Sequence, residues 1–308
     1  MVYRIAVRTV LLFFCMSWLL GTNSMSLAQT YDRDSDLYSR EAREEEVIRV
    51  INRPPNIQGL TGLMVMNSAF TRPAGSLAIG ASALIEDSNK PDYNIIQIPI
   101  TLTYGITDTI EAGMKMKYIN YAKSKETGLG DSEVALKWRW NTHSAATPEL
   151  AIGVAGILPT ASAAKGLNKG LNDVTDWGAK FMVMATSEIR ILDNSFLGIY
   201  LEAQAVFIDG FSAGNTTTTQ DRYGVINAGL LLPISANNRF QAMLEVNNTV
   251  KKTRKNTVLA EGDQTGITPA LRYVTDTMSV TAGAQFLKKD TIGYNDTIRW
   301  IGTLSHQF

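Results

Sequence analysis

From about residue 75 to its last residue the chain alternates apolar and polar side chains with period two. In residues 109–121, Ile110, Ala112, Met114, Met116 and Tyr118 fall on one face of an extended backbone, and Glu111, Gly113, Lys115 and Lys117 fall on the other. The pattern recurs in residues 131–141, where Val134, Leu136, Trp138 and Trp140 oppose Glu133, Ala135, Lys137 and Arg139. It recurs again where Leu197, Ile199, Leu201, Ala203 and Phe207 oppose Tyr200, Glu202 and Gln204, and where Phe240, Ala242, Leu244 and Val246 oppose Gln241, Glu245 and Asn247. Such segments are strands with one greasy and one polar face.

Two structures accept strands of this kind, a soluble sandwich and a membrane barrel, and connection lengths separate them. Strands read at 76–85, 94–106, 109–121, 131–141, 148–158, 173–188, 196–208, 221–233, 239–250, 265–274, 277–287 and 297–308 number about twelve, and bacterial barrels hold even numbers. Short turns at 107–108, 141–147, 189–195, 234–238 and 275–276 alternate with longer polar loops at 86–93, 122–130, 159–172, 209–220, 251–264 and 288–296. Short periplasmic turns and longer external loops are the outer-membrane arrangement, whereas a sandwich has no reason to sort its loops by parity. The predicted fold is therefore an all-β transmembrane antiparallel barrel with both termini in the periplasm, its outer face against outer-membrane lipid and lipopolysaccharide.

The two ends of the chain agree with that export route. Arg4 and Arg8 precede an apolar stretch at 10–20, and Ser26-Leu27-Ala28 follows a small polar run, so a secretory signal peptide is expected at 1–28 with cleavage after Ala28. The apolar stretch is about half the ~20 residues a spanning helix needs. Cys15, the single cysteine, lies within it, so thiol and disulfide chemistry is absent from the expected mature chain. At the other end, Ile298, Trp300, Gly302, Leu304 and Phe308 share a face, and a terminal aromatic on an amphipathic strand resembles the signal read by the outer-membrane assembly machinery. Phe308 is accordingly the predicted assembly signal. Aromatics near strand ends, including Tyr104, Trp138, Trp140, Phe207, Phe240 and Trp300, suit interfacial girdles.

Three divisions follow: the signal at 1–28, a charged periplasmic segment at 29–58, and the barrel at 59–308. The middle one carries Asp32, Arg33, Asp34 and Asp36, then the run at 40–46, and stops at Pro54-Pro55; it reads as a solvated linker or a partner-binding helix. Removing Arg4 and Arg8 from 29 basic residues leaves 27 against 29 acidic, which is no footprint for nucleic acid.

Catalytic sets are missing from the expected positions. The two histidines are His143, in a predicted periplasmic turn, and His306, near the end, so neither reaches the outer rim with a serine and a third polar partner. No metal-ligand spacing occurs, and Gly128-Leu129-Gly130-Asp131 precedes a strand rather than the helix a phosphate cradle needs. The expectation is a non-enzyme without cofactor or metal.

The remaining candidate site is the lumen. Inward positions are predicted for Glu111, Lys115, Lys117, Glu133, Lys137, Arg139, Lys180, Glu202, Glu245, Arg272 and Arg299. Unpaired charges in a dry core cost several kcal/mol each, so these need water or one another. A narrow wet pore and a closed salt-bridged network both meet that need; the pore, passing small molecules passively, is the reading taken.

Particular residues resemble a known family. Thr103-Tyr104-Gly105-Ile106-Thr107-Asp108-Thr109-Ile110-Glu111-Ala112-Gly113, the Gly128–Asp131 stretch leading into 134–140, and Leu158-Pro159-Thr160 look like the barrels labelled putative phenol-degradation meta-pathway transporters, with Ala161 where that family has glycine. The resemblance covers about 75–308 and implies an outer-membrane transporter of small, aromatic or other hydrophobic compounds. Asp108 suits a tight turn, and Gly105 and Gly113 relieve crowding inside the wall. A second, local likeness, Gly59-Leu60-Thr61-Gly62-Leu63-Met64 with Asn67-Ser68-Ala69 and Pro73–Leu77, is similar to the entry segment of exopolysaccharide-associated barrels and implies a structural or export-linked barrel without an open pore.

Overall fold

The computed structural model describes residues 53–89, 92–121, 126–140, 148–161, 177–192, 195–208, 221–235, 238–251, 264–289 and 296–308. Their strands are β1 (Leu77–Asn89), β2 (Asp92–Thr107), β3 (Ile110–Tyr121), β4 (Glu126–Leu129), β5 (Ser132–Trp140), β6 (Glu149–Leu158) and β7 (Gly178–Leu192). The series continues with β8 (Ser195–Ile208), β9 (Asp221–Pro233), β10 (Phe240–Lys251), β11 (Gln264–Val274), β12 (Met278–Lys289) and β13 (Thr297–Gln307). Strands adjacent in the chain pair antiparallel, except that β4 and β5 both pair with β3 and not with each other, and β13 pairs with β1, from Ala78 opposite Gln307 to Asp87 opposite Ile298. The sheet is thereby closed and has no edge to protect.

β4 and β5 are one stave interrupted at Gly130-Asp131. Tyr118 lies opposite Leu129 but Lys115 opposite Glu133, so the register slips by one residue there, and the barrel has twelve staves. Among the described residues no helix is present.

The closed ring sorts its faces as the alternation requires. Outward positions expose Ile100, Val134, Trp140, Phe181, Leu271 and Trp300, with Trp140 64% exposed, while inward Thr103, Glu111, Lys137 and Glu245 are fully buried. An apolar outside over a polar inside is the inverse of a soluble core, and it is stable only against lipid. The aromatics predicted for the girdles, among them Tyr104, Tyr118, Trp138, Trp177, Phe286 and Trp300, all belong to the exposed apolar surface.

Three segments depart from the boundaries expected from sequence, the first being Glu126–Leu129, which lies inside the loop read at 122–130 but forms β4. The polar stretch 86–93, read as an external loop, is mostly strand: β1 runs to Asn89 and β2 begins at Asp92. Glu86 points inward there and receives Arg299 at 2.6 Å. Likewise β7 spans 178–192 rather than 173–188, and Glu188, at its polar lower end, faces Arg53 at 2.6 Å. At 86–89 polarity marked inward stave positions rather than a loop, since the inside of this barrel is where charge is kept, whereas Glu188 already lay within the strand read at 173–188.

Candidate functional site in the barrel lumen

Residues 53–76 contribute no stave. They enter the ring and fold into a compact knot in which Asn56 N–H donates to Leu60 O (2.9 Å), Ile57 N–H to Met64 O (3.1 Å), Leu63 N–H to Met66 O (3.0 Å) and Ser68 N–H to Thr61 O (3.0 Å). Such a short segment cannot satisfy its own backbone, so the remaining groups must find partners on the wall.

Three carboxylates, from three different staves, supply most of those partners. Glu245 on β10 accepts the consecutive N–H groups of Met64 (2.8 Å), Val65 (3.0 Å) and Met66 (2.9 Å). Glu202 on β8 accepts Asn67 N–H (3.1 Å), Asn67 Nδ2 (2.6 Å) and Asn227 Nδ2 (2.7 Å). Glu111 on β3 accepts Thr61 N–H and Arg72 N–H, at 2.8 and 2.9 Å, along with the Thr61 hydroxyl. Charge-assisted bonds of this type are about twice as strong as neutral ones. Lys137 completes the arrangement, 2.9 Å from Glu111 and donating to the carbonyls of Thr61 and Ser68.

Apolar packing adds to the polar anchorage. Leu63, Met64 and Met66 bury themselves against Tyr200, Leu231, Met243 and Ile301, and Leu60 and Ala69 against Ala135, Met182 and Met184. The Arg53 guanidinium stacks over the Phe70 ring at 3.1 Å. Two wall glycines let the knot's backbone touch the staves: a Cβ on Gly113 would sit 2.2 Å from Gly59 O, and one on Gly105 would sit 2.0 Å from Pro73 O. The crowding expected at these positions is thus crowding by the internal segment. Arg72 is buried to 1% with no acceptor for its guanidinium nitrogens among the described residues, and Glu111 is its nearby carboxylate.

The knot fills the half of the lumen nearer the short connections. Toward the longer connections lies a cavity of about 280 Å³ floored by Ile57, Gln58 and Val65. Its walls carry Lys115, Lys117, Lys180 and Arg299 together with carboxamides such as Gln97, Gln204, Asn247 and Gln285, and no carboxylate lines it among the described residues.

The eleven charged residues predicted inward therefore separate into two groups. Glu111, Lys137, Arg139, Glu202, Glu245 and Arg272 surround the knot, Arg139 donating to Asp108 O (3.2 Å) and Arg272 to Gly62 O (3.3 Å). Lys115, Lys117, Lys180 and Arg299 line the cavity, and Glu133, in the wall behind it, bridges Lys115 (2.7 Å) and Lys180 (2.6 Å). Sequence reasoning missed the internal segment itself, and with it Arg53, Asn67, Thr186 and Glu188. The one available signal was the stretch Leu60–Met66, apolar but neither alternating nor long enough for a helix.

The fold and site define a plugged outer-membrane-type barrel. Its fold matches a crystal structure of an outer-membrane channel from Pseudomonas putida F1, with a TM-score of 0.58 over 80% of this chain and 100% of that one at 10% identity. It also matches the NanC porin, with a TM-score of 0.52 over 74% of this chain and 98% of that one at 8% identity. No family model matches the chain, and no curated protein does so.

Proposed function

We propose that this protein is an outer-membrane channel for small solutes, closed in the described state by residues 53–76, with the longer connections outside the cell and both chain ends in the periplasm. The observation that carries the reading is that the wall closes without the occluding element. The staves pair into a complete ring to which residues 53–76 contribute none, and what blocks the lumen is that segment, held by hydrogen bonds to the wall and by the apolar packing of Leu60, Leu63, Met64 and Met66. Twelve staves lie between the barrels that side chains fill and the wide porins, so withdrawing the segment leaves a path. The signal peptide directs export, and Phe308 is read by the assembly machinery.

Conductance tests this directly. In planar bilayers the full chain should show small or intermittent currents, and a variant lacking 53–72 should show large, long-lived ones. A deletion variant that migrates on gels as a folded, heat-modifiable barrel yet conducts nothing would overturn the channel and leave a structural or exopolysaccharide-linked barrel. The dense bonding of Glu111, Glu202 and Glu245 is what favours that second reading.

A further inference from the structure

The cavity above the knot has a chemistry of its own. Four cationic side chains line it, and from the wall Glu133 is shared by Lys115 and Lys180 and Glu86 is paired with Arg299. The carboxamides of Gln97, Gln204 and Gln285 ring the same space, and its floor is apolar at Ile57 and Val65, which pack beside Leu84. An ammonium has three donors, and the Lys180 ammonium spends one of them on Glu133. We propose that this cavity is an entry site for small organic carboxylates, which would place the anion among Lys115, Lys117 and Lys180 and the body of the molecule on the apolar floor.

The proposal rests on the channel reading for its direction of transport but not for binding. Low-dielectric walls focus the field of the excess positive charge into the cavity and concentrate anions there. A volume of about 280 Å³ admits a compact molecule rather than a polymer segment. Neutral phenols, which the family resemblance would suggest, gain nothing from the lysines and would have to displace water from the carboxamides without repaying its hydrogen bonds. The body of the carboxylate could be an aromatic ring or a polyol, and both share the chemistry that the lysines select.

Calorimetric titration of the refolded full chain tests the site with benzoate against phenol and gluconate against glucose. At least one carboxylate should bind roughly tenfold or more tightly than its neutral partner, the difference of about one charge-assisted contact. Which acid binds identifies the body. The double variant Lys117→Gln with Lys180→Gln should abolish that preference while retaining heat-modifiable migration. Equal binding of acid and neutral partner, or no binding of any of the four, overturns the site. Carboxylate binding without conductance in the deletion variant would sink the channel and keep the site; conductance without carboxylate preference would do the reverse.

Discussion

Glu245 illustrates how single residues set the state of the lumen. Its two oxygens take three successive backbone N–H groups, at residues 64 to 66. Replacing it with glutamine keeps the volume, removes the charge and turns an NH2 group toward donors. The expected result of Glu245→Gln is a loosened internal segment, weakened by about 1–3 kcal/mol for a donor left unpaired. Limited proteolysis of detergent-solubilised protein checks it, through faster cleavage within 53–76 and an unchanged barrel core. Cleavage at the wild-type rate would show that the apolar contacts of Leu63 and Met66 hold the segment without the carboxylate.

At the scale of elements, β3 is both wall and seat. Its outward residues Met114, Met116 and Tyr118 are exposed, while inward Glu111 binds the knot and Gly113 lets Gly59 approach. Gly113→Val suits a strand but places its Cβ 2.2 Å from a backbone carbonyl of the knot. The barrel should therefore still form while the internal segment is displaced, and bilayer currents of the full-length variant should rise toward those of the deletion. Gly302→Val is the control, since a Cβ there meets nothing within 4 Å. If both variants conduct like the unmodified chain, the segment adapts and the close approach does not govern occlusion.

For the whole molecule, the proposed orientation decides which end of the lumen a solute would meet first. The knot sits by the short connections, near Asp108, and the cationic cavity lies toward the longer ones, so with the longer connections outside, as proposed, solutes from outside would meet the cavity first. Cysteines introduced at Asp276, an exposed short-connection residue, and at Thr217, which lies outside the described residues, report this. In intact cells Thr217→Cys should react with an impermeant maleimide and Asp276→Cys should not. The opposite pattern would invert the barrel and turn the cavity toward the periplasm. The Thr217 site stands in a chain whose only natural cysteine is Cys15, in the expected signal peptide.

The strands were legible in the sequence because period-two alternation is a local property, and a membrane outside makes it strict: Trp138 and Trp140 alternate with Lys137 and Arg139 whatever the rest of the chain does. Inward charges such as Lys137 and Glu245 were legible for the same reason. The end of β1, from Glu86 to Asn89, was not, because polar residues read alike in an external loop and on a polar interior face. The internal knot was invisible for a different reason. The wall side chains that bond it are 34 to 210 residues away in the chain, from Asp108 to Arg272, so no pattern within 53–76 reveals them. Alternation decided that this chain makes a barrel; only closure of the ring, which brings β3, β8 and β10 around one short segment, decided what the barrel encloses.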